Sequence, residues 1–153
     1  MSSTLSKAAI DRAGKRLRDD AIPRPEDVAI YNEYRASLEP ALAEVEDVVR
    51  SIGGEDAVSS RLKRLDSVIA KLRRGDFKLT QIQDIAGCRL LVLGLVEQDA
   101  ALSTLLDALD CRRVTDYRTS DHIAGYTAVH MLCRADGEKP VEASVKSSTP
   151  EHS

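Results

Sequence analysis

Apolar residues recur at helical spacing through the first third of the chain. Residues 5–20 favour one helix, and a second pattern runs from Pro25, which suits a first turn, to Gly53-Gly54. Pro40 lies inside the second pattern, where a proline kinks a helix or divides it in two. The pattern therefore predicts a helical N-terminal region with a break near residue 40.

The stretch "SSRLKRLDSVIAKLRRGDF" predicts a third helix. Ser59 or Ser60 suits its cap and Gly75 its end. Four residues spaced along it form one apolar face: Leu65, Val68, Ile69 and Leu72. The rest of this predicted helix is strongly basic.

The second half of the chain predicts strands around one helix. "CRLLVLGLV" is a continuous apolar run, as expected for a strand that is buried on both faces. "EQDAALSTLLDALD" predicts an amphipathic helix, and "CRRVTDY" and "TAVHMLCRA" predict two further strands. "DGEKP" predicts a hairpin turn into a last strand, "VEASVK". This order predicts an α+β fold with a mixed sheet covered by helices.

Composition narrows the class of protein. The 153 residues suit one domain, and a net charge of −3 does not indicate a general nucleic-acid binder. The three cysteines, Cys88, Cys111 and Cys133, form no CxxC pair, so neither a zinc site nor a disulfide framework is expected and reduced thiols are the simplest interpretation. No secretory signal is present, and the run Leu90 to Val96 is too short for a membrane span. We expect a cytoplasmic protein with no membrane association.

The basic helix is the first candidate for chemistry. Lys63, Ser67 and Lys71 are four residues apart, which places them on one helical face, and Arg61 lies nearby. Two ammonium groups and a hydroxyl suit a polyphosphate. The alternative interpretation is an ordinary solvated basic face.

Asp84 is the second candidate, because it lies at the start of the predicted buried strand. A carboxylate at the edge of a sheet is a usual ligand for Mg²⁺, which takes oxygen ligands and keeps several waters. The alternative is a structural carboxylate that caps a helix or forms a salt bridge with Arg89.

The stretch "HIAGYTAVH" is the third candidate. Gly125 suits a close backbone approach, and Tyr126 at the start of a strand can stack on a purine, with His130 four residues later on the same strand face. The alternative is a tyrosine at the edge of the core and a hydrogen-bonded histidine. Glu142 on the last strand could approach Asp84, which would give two carboxylates for phosphoryl transfer.

Together these motifs resemble the synthetase domain of the RelA/SpoT family, the enzymes that make the alarmone (p)ppGpp. The family pattern reads R-x-K…S…K, then D-[IL]-x-[AG]-x-R, then G-Y-x-[AS]-[VL]-H, then V-E-[IV]-Q-[IV]-R-[TS]. The chain has "RLKRLDSVIAKLRR", "QDIAGCRLLV", "GYTAVH" and "PVEASVKS" in that order. The resemblance covers roughly residues 26–146 and is nearest to small single-domain members, including toxin-like ones. It implies an N-terminal helical extension over 1–25, a nucleotidyltransferase-like synthetase domain over 26–146 and a polar tail over 147–153.

The resemblance also implies roles for the candidate residues. Arg61, Lys63, Ser67 and Lys71 would contact ATP, and Tyr126, His130 and His122 would form the guanine nucleotide site. Asp84 and Glu142 would be catalytic and would hold Mg²⁺. The implied reaction moves pyrophosphate from ATP to the 3′-hydroxyl of GDP or GTP and releases AMP.

The chain departs from the family pattern at several positions. Ser144 and Lys146 replace the family's Gln and Arg, and His122 stands where many members have Lys or Arg. "SSTPEHS" replaces a covering helix, from which we expect a truncated or frameshifted product with a tendency to form homo-oligomers.

Two alternatives to alarmone synthesis stay open. In the first, the acceptor is the 3′ end of tRNA, bound by basic clusters formed by Arg12, Lys15, Arg16 and Arg18 and by Arg73 and Arg74, whose alternative interpretation is solvated helix surface. In the second, the chain binds nucleotide or an antitoxin protein without turnover.

Overall fold

The computed structural model describes residues 5–119 and 127–147. Within these ranges the helices are α1 (Lys7–Asp19), α2 (Pro25–Ser37), α3 (Glu39–Gly53), α4 (Leu65–Arg74) and α5 (Leu95–Ala108). The strands are β1 (Val58–Leu62), β2 (Ala86–Val92), β3 (Asp110–Asp116), β4 (Ala128–Ala135) and β5 (Lys139–Ser147). Short 3₁₀ turns lie at Glu55–Ala57, Leu79–Gln81 and Tyr117–Thr119.

Local sequence explains the ends of the N-terminal helices. The Ser6 hydroxyl accepts a 3.0 Å hydrogen bond from the Ala9 amide and caps α1. Pro40 lies in the first turn of α3, directly after α2 ends, which confirms the predicted division of the second helical pattern. Gly54 ends α3 with φ of +80°, a conformation that favours glycine.

The third predicted helix is shorter than expected. It begins at Leu65, and the residues before it form β1, so Arg61 lies on a strand and Lys63 in the connection between the two elements. The reason is pairing: Val58–Leu62 runs antiparallel to β2, with Ser60 opposite Cys88 and Arg61 opposite Gly87. The prediction that Lys63, Ser67 and Lys71 share one helical face is therefore wrong.

The strands form one mixed sheet in the order β1-β2-β5-β4-β3. β2 and β5 are parallel neighbours, and every other neighbouring pair is antiparallel. The predicted hairpin between β4 and β5 is present, with positive φ at Asp136, Gly137 and Glu138. The predicted α+β architecture with a mixed sheet is confirmed.

Helices α3 and α5 cover one face of the sheet. α3 packs across β1, β2, β4 and β5, while α5 packs on β3 and β5 and against α3. On β2 the buried side chains of Cys88 and Leu90 face these helices, whereas Arg89 and Leu91 on the alternate positions are exposed. The prediction that this strand is buried on both faces is wrong, because Arg89 and Leu91 lie on the face away from α3 and α5 and are exposed.

Helices α1, α2 and α4 form a second group of helices, which α1 connects. α1 contacts α2 and α4 and contributes buried Ile10, Ala13 and Leu17 to the common core. The Arg16 guanidinium donates three hydrogen bonds of 2.9–3.1 Å to the fully buried Asp27 on α2. The domain boundary at residue 25 stays a prediction. None of the helices in the two described ranges combines the length and apolar character that crossing a bilayer needs.

Candidate functional site

The point where β1 ends and β2 begins carries the first cluster of charged side chains. The Lys63 amide donates a 2.7 Å hydrogen bond to the carbonyl of Ile85, which extends the antiparallel ladder by one position beyond β1. This pairing brings Lys63 beside Asp84. Lys63 is 8% exposed, an unusual burial for a lysine, so its ammonium group requires a partner.

Asp84 provides that partner and also contacts Lys71. Nζ of Lys63 lies 3.1 Å from one carboxylate oxygen of Asp84, and Nζ of Lys71 on α4 lies 2.9 Å from the other. We call these three residues the lysine–aspartate cluster. Its two ammonium groups and one carboxylate carry a net charge of about +1 at neutral pH, which favours anions.

Electrostatics keep the Asp84 carboxylate ionised. Burial raises the pKa of Asp84, but hydrogen bonds from Lys71 and Lys63 outweigh this effect, so the pKa lies below its ordinary value. The side chain of Asp84 is 18% exposed, and that of Lys71 is 32% exposed. Solvent therefore reaches the Lys71 side of the cluster.

Helix α2 holds the main chain that carries Lys63. The buried Tyr31 hydroxyl donates a 2.6 Å hydrogen bond to the carbonyl of Lys63. Nη2 of Arg35, one helical turn later, donates a 2.8 Å hydrogen bond to the carbonyl of Leu62. Two consecutive carbonyls at the end of β1 are thus bonded to α2, which fixes the position from which the Lys63 side chain extends.

A cleft of about 320 Å³ lies on the sheet face opposite α3 and α5. Strand register explains its lining, since Arg61, Gly87 and Glu142 lie directly opposite one another on β1, β2 and β5. Arg89 and Ser144 form the next row across β2 and β5, and His130 pairs with Ser144 from β4. The lining residues on this face are Ser59, Arg61, Gly87, Arg89, His130, Glu142 and Ser144, and the alternate positions Ser60 and Cys88 also border the cleft.

Glu142 and His130 form a polar pair in this cleft. Nδ1 of His130 lies 3.2 Å from Oε1 of Glu142. The His130 ring also meets the edge of the Tyr117 ring, with centroids 5.0 Å apart and an interplanar angle of 77°. These two contacts fix the orientation of the imidazole beside the carboxylate.

Asp84 and Glu142 lie at the same end of two neighbouring parallel strands. Glu142 is opposite Gly87, and Asp84 precedes Gly87 by three residues, or about 10 Å of extended chain. The described residues contain no group of three His, Cys, Asp or Glu side chains placed as a ready-made metal site. Carboxylate oxygens nevertheless fit Mg²⁺ bound together with nucleotide phosphates, since magnesium commonly uses one or two carboxylates plus phosphate oxygens.

The structure brings together most of the residues singled out in the sequence. Lys63, Lys71 and Asp84 form the lysine–aspartate cluster, while Arg61, His130 and Glu142 line the cleft. Ser67 lies on α4, one turn before Lys71. Tyr126 and His122 lie outside the described residues.

One interpretation of the sequence was a salt bridge between Asp84 and Arg89. The structure does not contain this pair. The Asp84 carboxylate is held by Lys63 and Lys71, and the exposed Arg89 side chain lines the cleft. The reason is strand alternation, which places Arg89 on the open face of the sheet in line with Ser59 and Ser144.

The sequence analysis did not identify Tyr31 and Arg35 as residues that support the site, because nothing in their local sequence indicates this role. Tyr31 follows the helical period of α2 and is indistinguishable from an ordinary core residue. Only the fold shows that its hydroxyl reaches a carbonyl 32 positions later.

Two of the basic residues considered for tRNA join helix α1 to other helices. Arg16 binds the buried Asp27, and Arg73 donates hydrogen bonds of 3.1 and 2.9 Å to the carbonyls of Arg18 and Asp20. These guanidinium groups join helices to one another. Arg16 and Arg73 therefore contribute to packing in this structure.

Solved structures share this fold. A GTP pyrophosphokinase family protein from Streptococcus pneumoniae is 19% identical with a TM-score of 0.60, over 76% of this chain and 70% of its own. Small alarmone synthetase 1 from Bacillus subtilis, solved with its product pppGpp, is 20% identical with a TM-score of 0.58, over 75% and 69%. The Type VI effector Tas1, solved with its immunity protein, is 18% identical with a TM-score of 0.52, over 94% and 64%. No curated protein matches the chain.

The family comparison gives the decisive result. The model described as "Region found in RelA / SpoT proteins" matches residues 60–153. The matched region starts in β1 and includes the lysine–aspartate cluster and every residue that lines the cleft except Ser59. The chain belongs to the RelA/SpoT family.

Proposed function

We propose that this protein transfers the pyrophosphate group of ATP to the 3′-hydroxyl of a guanosine nucleotide, GDP or GTP. The observation that carries the proposal is the convergence of Lys63 and Lys71 on Asp84, at 3.1 and 2.9 Å, beside the cleft that holds Glu142. A cationic cluster next to a cleft with a carboxylate is what a polyphosphate donor and a hydroxyl acceptor require. Membership of the RelA/SpoT family supports the same reaction.

ATP phosphates would exchange partners with Asp84. Lys63 and Lys71 neutralise this carboxylate in the present arrangement, and phosphate oxygens compete for the same ammonium protons. When the lysines bind the phosphates, the carboxylate of Asp84 is released. Asp84 would then be available to hold Mg²⁺ together with phosphate oxygens, and the ion would neutralise charge on those oxygens.

The Glu142 carboxylate would receive the proton of the acceptor hydroxyl. The 3′-oxygen forms a bond to the β-phosphorus of ATP, and the bond from this phosphorus to the oxygen of AMP breaks, so AMP leaves with that oxygen. His130, held by Tyr117, keeps the carboxylate oriented. Arg61 and Arg89 supply positive charge along the cleft, and Tyr126 and His122 would bind the guanine nucleotide.

A transfer assay tests this proposal. The protein is incubated with Mg²⁺, ATP labelled in its terminal phosphates, and GDP or GTP. Label on the guanosine product with an equal amount of AMP is the expected result. Asp84→Asn and Glu142→Gln should each reduce it at least about 100-fold, whereas Asp66→Asn, a change at an exposed carboxylate on α4, should not.

Other results of the same assay would support one of the two alternatives, a tRNA acceptor or nucleotide binding without turnover. Label on the 3′ end of added tRNA would replace the nucleotide acceptor with RNA. Protection of the protein from heat by ATP without any transfer would make it a nucleotide-binding module.

A second candidate role is that of a toxin-like synthetase inhibited by a partner protein. The match to Tas1, which extends over 94% of this chain, supports it. Induced expression should then arrest bacterial growth, and Asp84→Asn should relieve the arrest. Growth arrest that persists in Asp84→Asn would contradict a toxic activity based on transfer.

A further inference from the structure

Two of the three cysteines face each other across β3 and β4. Cys111 and Cys133 occupy directly opposite positions in the antiparallel register, and their sulfurs are 3.5 Å apart. Both are free thiols in this structure, as is Cys88 on β2. Their separation of 22 positions gives no sign of this proximity in the sequence.

The backbone at this pair suits a covalent bond. Directly opposite residues of antiparallel strands have Cα atoms about 4.5–5.5 Å apart, within the range of about 4.4–6.8 Å seen for disulfides. The Cys111 amide donates a 3.0 Å hydrogen bond to the carbonyl of Leu109. The register of β3 and β4 shifts directly after Cys111, between Cys111 and Arg113.

Cys88 is excluded as a partner by the strand order. It lies opposite Ala143 of β5, which in turn lies opposite Met131 of β4, so two strand spacings separate it from Cys133. Two spacings amount to roughly 10 Å, beyond the reach of a disulfide.

We propose that Cys111 and Cys133 form an intramolecular disulfide when the protein meets a disulfide oxidant such as oxidised glutathione. The Cys111 thiolate attacks one glutathione sulfur, forming a mixed disulfide and releasing one glutathione thiolate. The Cys133 sulfur then attacks the Cys111 sulfur and releases the second glutathione. The two cysteine thiols are oxidised, the oxidant is reduced to two thiols, and the two cysteine protons end on those thiols.

Accessibility assigns the first step to Cys111. This residue is partly exposed, whereas Cys133 is fully buried. Burial raises the pKa of the Cys111 thiol, although contact with Cys133 lowers it in part. The thiolate is the attacking form, so oxidation is slow at neutral pH and accelerates as the pH rises.

The disulfide would join the edge strand β3 to β4. β4 also carries His130, and the closed loop contains Tyr126 and His122, the residues that the family resemblance assigns to the guanine nucleotide. Cross-linking restricts the unfolded chain and so stabilises the folded one. The bond depends only on the two thiols and is independent of the proposed transferase activity.

Thiol counting on the full chain tests the proposal. The protein is incubated with oxidised glutathione at pH 8.5, alkylated under denaturing conditions, and analysed by intact mass and by peptide mapping without reductant. We expect three titratable thiols to fall to one, with Cys111 linked to Cys133. We also expect the Tm to rise by several degrees and to return when a reductant is added.

Matched variants identify the pair. Cys88→Ser should still lose two thiols, whereas Cys111→Ser should lose none to an internal bond and should show no oxidation-dependent Tm shift. Three remaining thiols, a bond to Cys88, a disulfide between two chains, or a stable glutathione adduct on Cys111 would each overturn the proposal. The measurement on the unsubstituted chain stands even if a variant fails to fold.

Discussion

The hydroxyl of Tyr31 on α2 holds the carbonyl of Lys63 at 2.6 Å, and Lys63 in turn holds Asp84 at 3.1 Å. A fully buried residue of the N-terminal helices thus supports a charged side chain at the mouth of the sheet. The position of Lys63 depends on α2 as well as on its own strand.

Tyr31→Phe should therefore weaken ATP binding as well as stability. Loss of the hydroxyl leaves the buried Lys63 carbonyl without this donor, which costs about 1–3 kcal/mol of unfolding free energy. We expect the KM for ATP to rise several-fold while kcat changes less, as measured by initial rates at varied ATP. Tyr34→Phe on the same helix is the control. Equal effects of the two substitutions would show that the helix, and not the Tyr31 hydroxyl, is responsible.

Asp84→Asn should destabilise the protein in addition to its proposed effect on transfer. The change leaves two ammonium groups close together without a carboxylate between them, which we expect to lower the unfolding free energy by about 1–3 kcal/mol. Denaturant titration at pH 7 measures the difference. An unchanged midpoint would mean that the cluster contributes nothing to folding.

The lysine–aspartate cluster should also affect how the unfolding free energy depends on pH in acid. The folded state depresses the pKa of Asp84, so the unfolded state binds its proton first as the pH falls. The contribution is fully present above the ordinary aspartate pKa of about 3.9 and is lost as the pH falls through the lower folded value. The unfolding free energies of the parent chain and Asp84→Asn should approach each other as the pH falls below about 3.9, and should converge below the lower folded pKa. A difference that stays constant down to pH 2 would contradict this linkage.

Gly87→Ala should narrow the cleft without harming the fold. A methyl group here would lie between Arg61 and Glu142, and its nearest neighbour, the Glu142 carbonyl oxygen, would be at an ordinary contact distance of 3.8 Å. We expect the KM for one of the two proposed substrates, ATP or the guanosine nucleotide, to rise several-fold with little change in Tm. Gly53→Ala should give the opposite result, a lower Tm with an unchanged KM, since its methyl would overlap the Leu90 side chain on the face away from the cleft. Unchanged kinetics in Gly87→Ala would show that the row formed by Arg61, Gly87 and Glu142 does not contact a substrate.

Sequence reasoning predicted the elements with strong periodicity better than the pairing between them. The break at Pro40, helix α5 and the hairpin at Asp136–Glu138 follow from residues next to one another in the chain. β1 was missed because Ser59, Ser60 and Arg61 are all exposed and show no alternation. Pairing with β2 makes this segment a strand, and that contact is not local.

The candidate site shows the same limit. The structure brings Lys63, Lys71 and Asp84 together, yet the two lysines were singled out for a helical spacing that the structure does not have. They meet because Lys63 follows a strand paired with the segment after Asp84, while Lys71 reaches in from α4. Residue type can indicate phosphate chemistry, but the partners of Asp84 depend on strand register.

The parallel pairing of β2 with β5 also determines when the site can form. Gly87 and Glu142 are neighbours in the sheet but 55 positions apart in the chain, from 142 minus 87. Such distant contacts are slow to form, because a long loop must close before the pairing stabilises it. A growing chain would complete the lysine–aspartate cluster, within residues 63–84, before Glu142 had been synthesised. We therefore expect the candidate site to be completed late in folding, when β5 inserts between β2 and β4.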